Sequence, residues 1–162
     1  MNDYIKAVNE SAILQTEEPH FFKVIYPKKQ VQVVKAETLA GGQLPSTVRG
    51  RQVVVRQAPM MLNDPMMLLE ISDYQLSDGD QVSINFNEHW ILNEYTLKRK
   101  PLKIQLRLRP NQVNYLLVHA ENVGTNPPNT TKIAYIYDGE KKVITLASDT
   151  KESEMIEIQL DK

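Results

Sequence analysis

From Leu102 to Arg109 the chain alternates without a break, with Leu102, Ile104, Leu106 and Leu108 set against Lys103, Gln105, Arg107 and Arg109. Successive side chains of an extended chain point to opposite sides, so this pattern puts the aliphatic groups on one face and the polar groups on the other. A helix of the same sequence would scatter both sets around its circumference. The pattern predicts a strand with one face in a core and one in water, and such a strand needs partners.

Partners are present in the same code. Val82, Ile84 and Phe86 alternate with Ser83, Asn85 and Asn87, and Ile156, Ile158 and Leu160 alternate with Glu157 and Gln159. Val53 with Val55 is a shorter case. Tyr115 to Ala120 is nearly all apolar, the pattern of a central strand covered on both sides. Turn-forming clusters separate these runs: Asp78-Gly79-Asp80, Asn87-Glu88-His89, Arg109-Pro110-Asn111, Asn126-Pro127-Pro128-Asn129 and Asp138-Gly139-Glu140. Asp-Gly takes a positive φ at low cost and proline removes a ladder donor, so each cluster ends a strand. Tyr135 to Leu146 reads as a hairpin around Asp138-Gly139.

These runs predict an all-β fold, an antiparallel β-sandwich of immunoglobulin-like or jelly-roll-like type with seven to eight strands. A chain of 162 residues with 41% hydrophobic and 24% charged side chains fits one such domain with a sizeable core. The first third differs in kind. Residues 1–45 are read as an N-terminal arm or hairpin, and residues 46–162 as the sandwich. In the arm, a Phe21 to Tyr26 run and Val31 with Val33 flank Pro27-Lys28-Lys29, Gly41-Gly42 forms a linker, and Ile5 to Leu14 is the one window with a helical pattern.

Charge and composition exclude several classes. Nineteen basic and 20 acidic residues give a net charge of -1, so no overall field draws in nucleic acid, and none is expected as a partner. The absence of cysteine excludes disulfides, thiolate catalysis and cysteine-held metals. No apolar run approaches the roughly 18 residues of a transmembrane helix. The opening MNDYIKAVNE has neither the basic region nor the apolar stretch of a signal peptide.

Chemistry-bearing residues are few. His20, His89 and His119 stand far apart, in no spacing that would place two on one helical face for zinc. His119 is expected to be a hydrogen-bonded strand residue. No G-x-S-x-G marks a nucleophilic serine, so a hydrolase is an alternative only if its site is assembled from distant residues, such as a serine or aspartate paired with His89 or His119. No glycine-rich phosphate loop occurs.

Asp73, Asp78 and Asp80 gather carboxylates as calcium requires, although no EF-hand spacing is present and an Asp-Gly-Asp turn explains the same residues. Apart from calcium there, no cofactor is expected. Glu121, Asn122 and Asn129 follow a buried strand. They are expected to hold the double-proline turn, where the bond before Pro127 or Pro128 can be either cis or trans; the alternative is a polar cluster presented to a sugar. Trp90 with Tyr95 is an aromatic platform in that glycan-binding alternative and core packing otherwise. Lys98-Arg99-Lys100 with Lys103, Arg107 and Arg109 is a basic stripe on a solvent face, read as a guard against edge pairing. The sequons at Asn9 and Asn129 matter only in a eukaryotic secretory pathway.

DGDQVSINFN (Asp78 to Asn87) followed by LLVHAENVGTNPPNTTKIAYIYDGEKKVITLASD (Leu116 to Asp149) resembles a bacterial secreted or cell-envelope β-sandwich domain of unknown function, whose pattern runs DGDxVS and then AENxGxxPPNT. The resemblance covers roughly residues 47–160. It implies an extracytoplasmic, non-enzymatic module, with a signal peptide outside this sequence. Two departures stand out. Asn87-Glu88-His89-Trp90 replaces a glycine turn, which implies a longer or differently shaped hairpin, and Thr131 replaces an alanine. The expected function is a non-catalytic binding or structural module at the cell envelope with a protein partner, engaged through a strand edge or the N-terminal arm. A carbohydrate-binding module is the first alternative.

Overall fold

The computed structural model describes residues 12–15, 21–25, 44–74 and 78–161, the first two segments by strand pairing alone. Among these residues every regular element is a strand. No helix there is long and apolar enough to cross a membrane. The strands are β1 (Ala12–Gln15), β2 (Phe21–Ile25), β3 (Thr47–Val48), β4 (Arg51–Val54), β5 (Met60–Leu62), β6 (Met66–Asp73), β7 (Gln81–Phe86), β8 (His89–Thr96), β9 (Leu102–Arg107), β10 (Asn114–Ala120), β11 (Asn129–Tyr137), β12 (Glu140–Ser148) and β13 (Glu152–Leu160). They form two sheets. Sheet one runs β1-β2-β9-β6-β11-β12, and sheet two runs β3-β4-β13-β10-β7-β8 with β5 also paired to β13.

The core lies where the alternation puts it. Leu69, Ile71, Leu102, Ile104, Leu106 and Ile133 of sheet one face Val82, Ile84, Phe86, Leu116, Val118 and Ile156 of sheet two in one buried cluster. Each such side chain contributes about 1.5–3 kcal/mol when fully buried. Lys103 and Arg107 are exposed on the other side of β9, as its alternation requires. All seven residues of β10 are buried, because this strand sits between β13 and β7 and both of its faces are covered.

The eight long strands β6 to β13 make the expected sandwich, and pairing is antiparallel except where β4 and β5 run parallel to β13. Three two-residue turns close hairpins: Arg49-Gly50 (φ 48° and 78°), Asn87-Glu88 (47° and 74°) and Asp138-Gly139 (52° and 74°). Two positive φ values in succession match the twist of the flanking strands. The hairpin at Asn87 is therefore tight, not lengthened, and Phe86 pairs with His89.

Three expectations need correction. Arg109 does not continue the basic stripe: β9 ends at Arg107, and the buried Arg109 guanidinium turns to Glu88, with Nη2 2.6 Å from Oε2. Val55 is exposed and does not share a core face with Val53, which packs on a second, smaller cluster. Ala12–Leu14, expected in a helix, lie in β1, which pairs with β2, and β2 in turn adds to β9 from Phe22↔Leu106 to Ile25↔Lys103. The rest of that helical window, and Val31, Val33 and Gly41-Gly42, lie outside the described residues.

Candidate functional site

One end of the sandwich is built from β6, β7 and the loop after β10. β6 ends at Asp73 and β7 begins at Gln81, and the carboxylates of Asp73, Asp78 and Asp80 each place an oxygen within 4.8 Å of the others. The loop from Glu121 to Pro128 closes over them. Asp78 Oδ2 accepts hydrogen bonds from the amides of Thr125 (3.2 Å) and Asn126 (3.3 Å). Asn122 Oδ1 accepts from the Gln81 amide at 2.9 Å, and its Nδ2 donates to Gly79 O at 3.2 Å. Asn129 Nδ2 donates to Gln81 O (3.2 Å) and Asn122 O (3.1 Å). The Pro127–Pro128 peptide is cis. At Gly124 φ is 54° and a methyl group would overlap Asp80 Oδ1 and Asp78 Oδ2, so only glycine lets the loop approach this closely.

Acid crowding governs the electrostatics of this end. Burial, with Asp78 and then Asp73 alongside, pushes the Asp80 carboxyl up to about 6. Burial also raises Asp78, but the amides of Asn126 and Thr125 outweigh it and hold that carboxyl below its ordinary value. The buried oxygens without a hydrogen-bond partner among the described residues include Asp78 Oδ1, Asp80 Oδ1, Asn129 Oδ1 and Thr131 Oγ1.

A second polar cluster lies on the outward face of sheet two. Ser83 and His119 are cross-strand partners, and Glu121 follows His119 on the same face. The tip of the β3–β4 hairpin lies over them. Arg49 stacks on Trp90, 3.9 Å from the ring centre. It pairs with Glu121 Oε1 at 2.6 Å and reaches Asn93 Oδ1 at 3.1 Å. Ser83 Oγ donates to Glu121 and accepts from the Glu94 amide at 3.0 Å. Val48, Trp90, Tyr115, Leu117 and Met155 form an apolar cluster beneath. His119 meets Trp90 edge-on at 6.0 Å and shares a 2.8 Å hydrogen bond through Nδ1 with Ser153 Oγ.

On the outward face of sheet one, several apolar side chains are exposed among the described residues. Register places Ile136 beside Lys141 and Ala134 beside Val143, with Ala134 next to Glu70 on the other side. Leu68, two residues before Glu70, extends the same face. Leu68, Ile136 and Val143 are 44%, 55% and 50% exposed. Lys103, Arg107, Lys132 and Lys141 share this face, whereas Glu70 is its one carboxylate among the described residues, paired to Lys141 at 2.5 Å and to Lys103 at 3.9 Å. Arg99, Lys132 and Lys141 line a depression of about 310 Å³ at its end together with Glu70, Asp73 and Tyr74.

The residues singled out from sequence are thus divided among these places. Asp73, Asp78 and Asp80 do converge, and Asn122 and Asn129 hold the loop around them. Glu121 does not join them: it points to the face of Arg49 and Ser83. Trp90, 1% exposed, and Tyr95, 3% exposed, are both buried, Trp90 in the outward cluster and Tyr95 in the main core, so they make no common platform for a sugar ring. The serine–histidine contact of Ser153 with His119 is buried, and neither residue lines the depressions of about 310, 350 and 590 Å³.

Sequence reasoning passed over Arg49, which no motif marks, and Thr131, whose register opposite Asp73 appears only once strands pair. It also passed over the apolar row on sheet one, because Leu68, Ile136 and Val143 come together only through strand pairing. Comparison with known protein families, with curated proteins and with solved structures finds no match.

Proposed function

We propose that this β-sandwich is a non-catalytic binding module that holds an acidic, partly apolar segment of a partner protein against the outward face of sheet one. The setting we infer, from the resemblance of its motifs, is extracytoplasmic, at a cell envelope. The observation that carries the reading is the group Leu68, Ile136 and Val143, about half exposed on one face that also bears Lys103, Lys132 and Lys141. An apolar patch on an otherwise charged face favours contact with another macromolecule. The excess of cations selects an acidic one and rejects a basic one.

Strand addition is disfavoured on half of the adjoining edge. On β12, Gln57 Nε2 donates to Thr145 O, and Glu154 accepts the Ala147 amide at 2.6 Å. Those caps use groups that a further strand would need, which leaves the face as the better surface.

The test uses labelled peptides in which Asp and Glu alternate with Val and Leu, and charge-reversed peptides with Lys in place of the acids, followed by fluorescence anisotropy. The acidic set is expected to bind, to weaken about tenfold on moving from low salt to several times the Debye screening, and to lose binding in Ile136→Glu/Val143→Glu. Equal binding of acidic and basic sets, or unchanged binding by the double variant, would refute the proposal.

A further inference from the structure

We infer that Asp73, Asp78, Asp80 and Asn129 form a binding site for a hard divalent cation, calcium, at the end of the sandwich. Two oxygens on opposite sides of one calcium ion stand about 4.8 Å apart, twice the usual calcium–oxygen distance. The three carboxylates already meet that limit, each offering an oxygen within 4.8 Å of the others.

Acid proximity is only the first observation; the second comes from sheet one and is independent of the aspartates. Asn129 and Thr131 are both 0% exposed, and Asn129 Oδ1 and Thr131 Oγ1 have no hydrogen-bond partner among the described residues. Both residues adjoin the cluster. Thr131 pairs in register with Asp73, and both are buried on the core side of the sheet. The Asn129 amide is tied to the residue that follows Asp80, since its Nδ2 donates to Gln81 O at 3.2 Å. Oxygens of this kind buried without a donor cost stability, and a cation is what satisfies carboxylate and amide oxygens together.

The loop geometry divides the labour within one side chain. Asp78 commits Oδ2 to the Thr125 and Asn126 amides and leaves Oδ1 buried toward the cluster. Binding of the ion would therefore also fasten the Glu121–Pro128 loop. Carboxylate and amide oxygens suit calcium better than softer metals, and the absence of histidine or cysteine in the cluster disfavours zinc.

The experiment uses the full chain, freed of metal with a chelator, and reads melting temperature and calorimetric heat on addition of calcium chloride. The wild-type protein is expected to release binding heat and to melt about 5 °C higher in saturating calcium than in chelator. Asp80→Asn keeps the shape and removes one of three crowded charges. It is expected to melt at least as high as wild type in chelator and to show no calcium increment. A fold lost in Asp80→Asn would count against the inference, and so would a wild-type protein whose melting temperature and heat are unmoved by millimolar calcium. Asn129→Asp, adding a ligand charge, is expected to tighten calcium at least threefold; no change there would remove Asn129 from the site.

Discussion

Replacing His119 with asparagine is expected to flatten the acid side of the stability profile. The imidazole is buried on the outward face of sheet two, bonded to Ser153 and edge-on to Trp90. Burial is the main cause that takes its pKa from 6.5 down to about 4; Arg51 adds to it, Glu121 opposes it, and Arg49 adds again. The unfolded chain takes up a proton near pH 6.5, which the folded chain refuses until about pH 4.

Stability tied to this group is therefore fully present above pH 6.5 and is lost as the pH falls toward about 4. At about 1.36 kcal/mol for each pH decade, the whole effect is at most about 3 kcal/mol. Urea unfolding, followed by the fluorescence of Trp90, the chain's one tryptophan, measures it directly. Carboxylates titrate in the same range, so the informative quantity is wild-type stability minus that of His119→Asn. That difference is expected to be flat from about pH 8 to about pH 7 and to fall by about 2–3 kcal/mol by about pH 4.5. A difference that does not change with pH would refute the burial argument.

Glu88→Gln is expected to cost about 3 kcal/mol in urea unfolding, because it removes the carboxylate that meets the buried Arg109 guanidinium at 2.6 Å. Arg49→Ala is expected to shift Trp90 emission to the red and raise its quenching by acrylamide, at a cost of about 1 kcal/mol, since Arg49 covers that ring. Gly124→Ala is expected to lower stability by about 1–3 kcal/mol, from its positive φ and the overlap with Asp78 and Asp80; thermal melting in chelator measures it. Leu106→Ala is expected to cost about 2–5 kcal/mol, as a fully buried leucine in the centre of β9.

Much of the fold was legible because strand periodicity is a local signal. Leu102 to Leu108 showed its buried face directly, and Asp138-Gly139 its turn. β6 was not legible, since Met66-Met67-Leu68-Leu69 is apolar on both sides and gives no alternation to read. The reason lies in the structure: Met67 and Leu69 face the core while Leu68 faces outward, exposed. Arg109 misled for the opposite reason. It keeps the alternation of β9 beyond the strand's end, where chain direction no longer follows the sheet. The acidic end was half legible: Asp73, Asp78 and Asp80 are near neighbours in sequence, whereas Asn129 and Thr131 reach them only through the pairing of β11 with β6.

The two outward faces differ in a way that bears on where a partner docks. On sheet two, Ser83, Asn85, His119 and Ser153 are polar yet buried, because the β3–β4 hairpin and Arg49 lie over that face. Ser83 bonds to Glu121 and Asn93 and His119 to Ser153, so a partner there would have to displace Arg49 from both Trp90 and Glu121. On sheet one, no described segment lies over Leu68, Ile136 and Val143, which are about half exposed. Among the described residues, no side chain has to be displaced from that row. If the partner instead bound at sheet two, Arg49→Ala would change its affinity while Ile136→Glu/Val143→Glu left it unaltered, and the assignment of the docking face would have to be reversed.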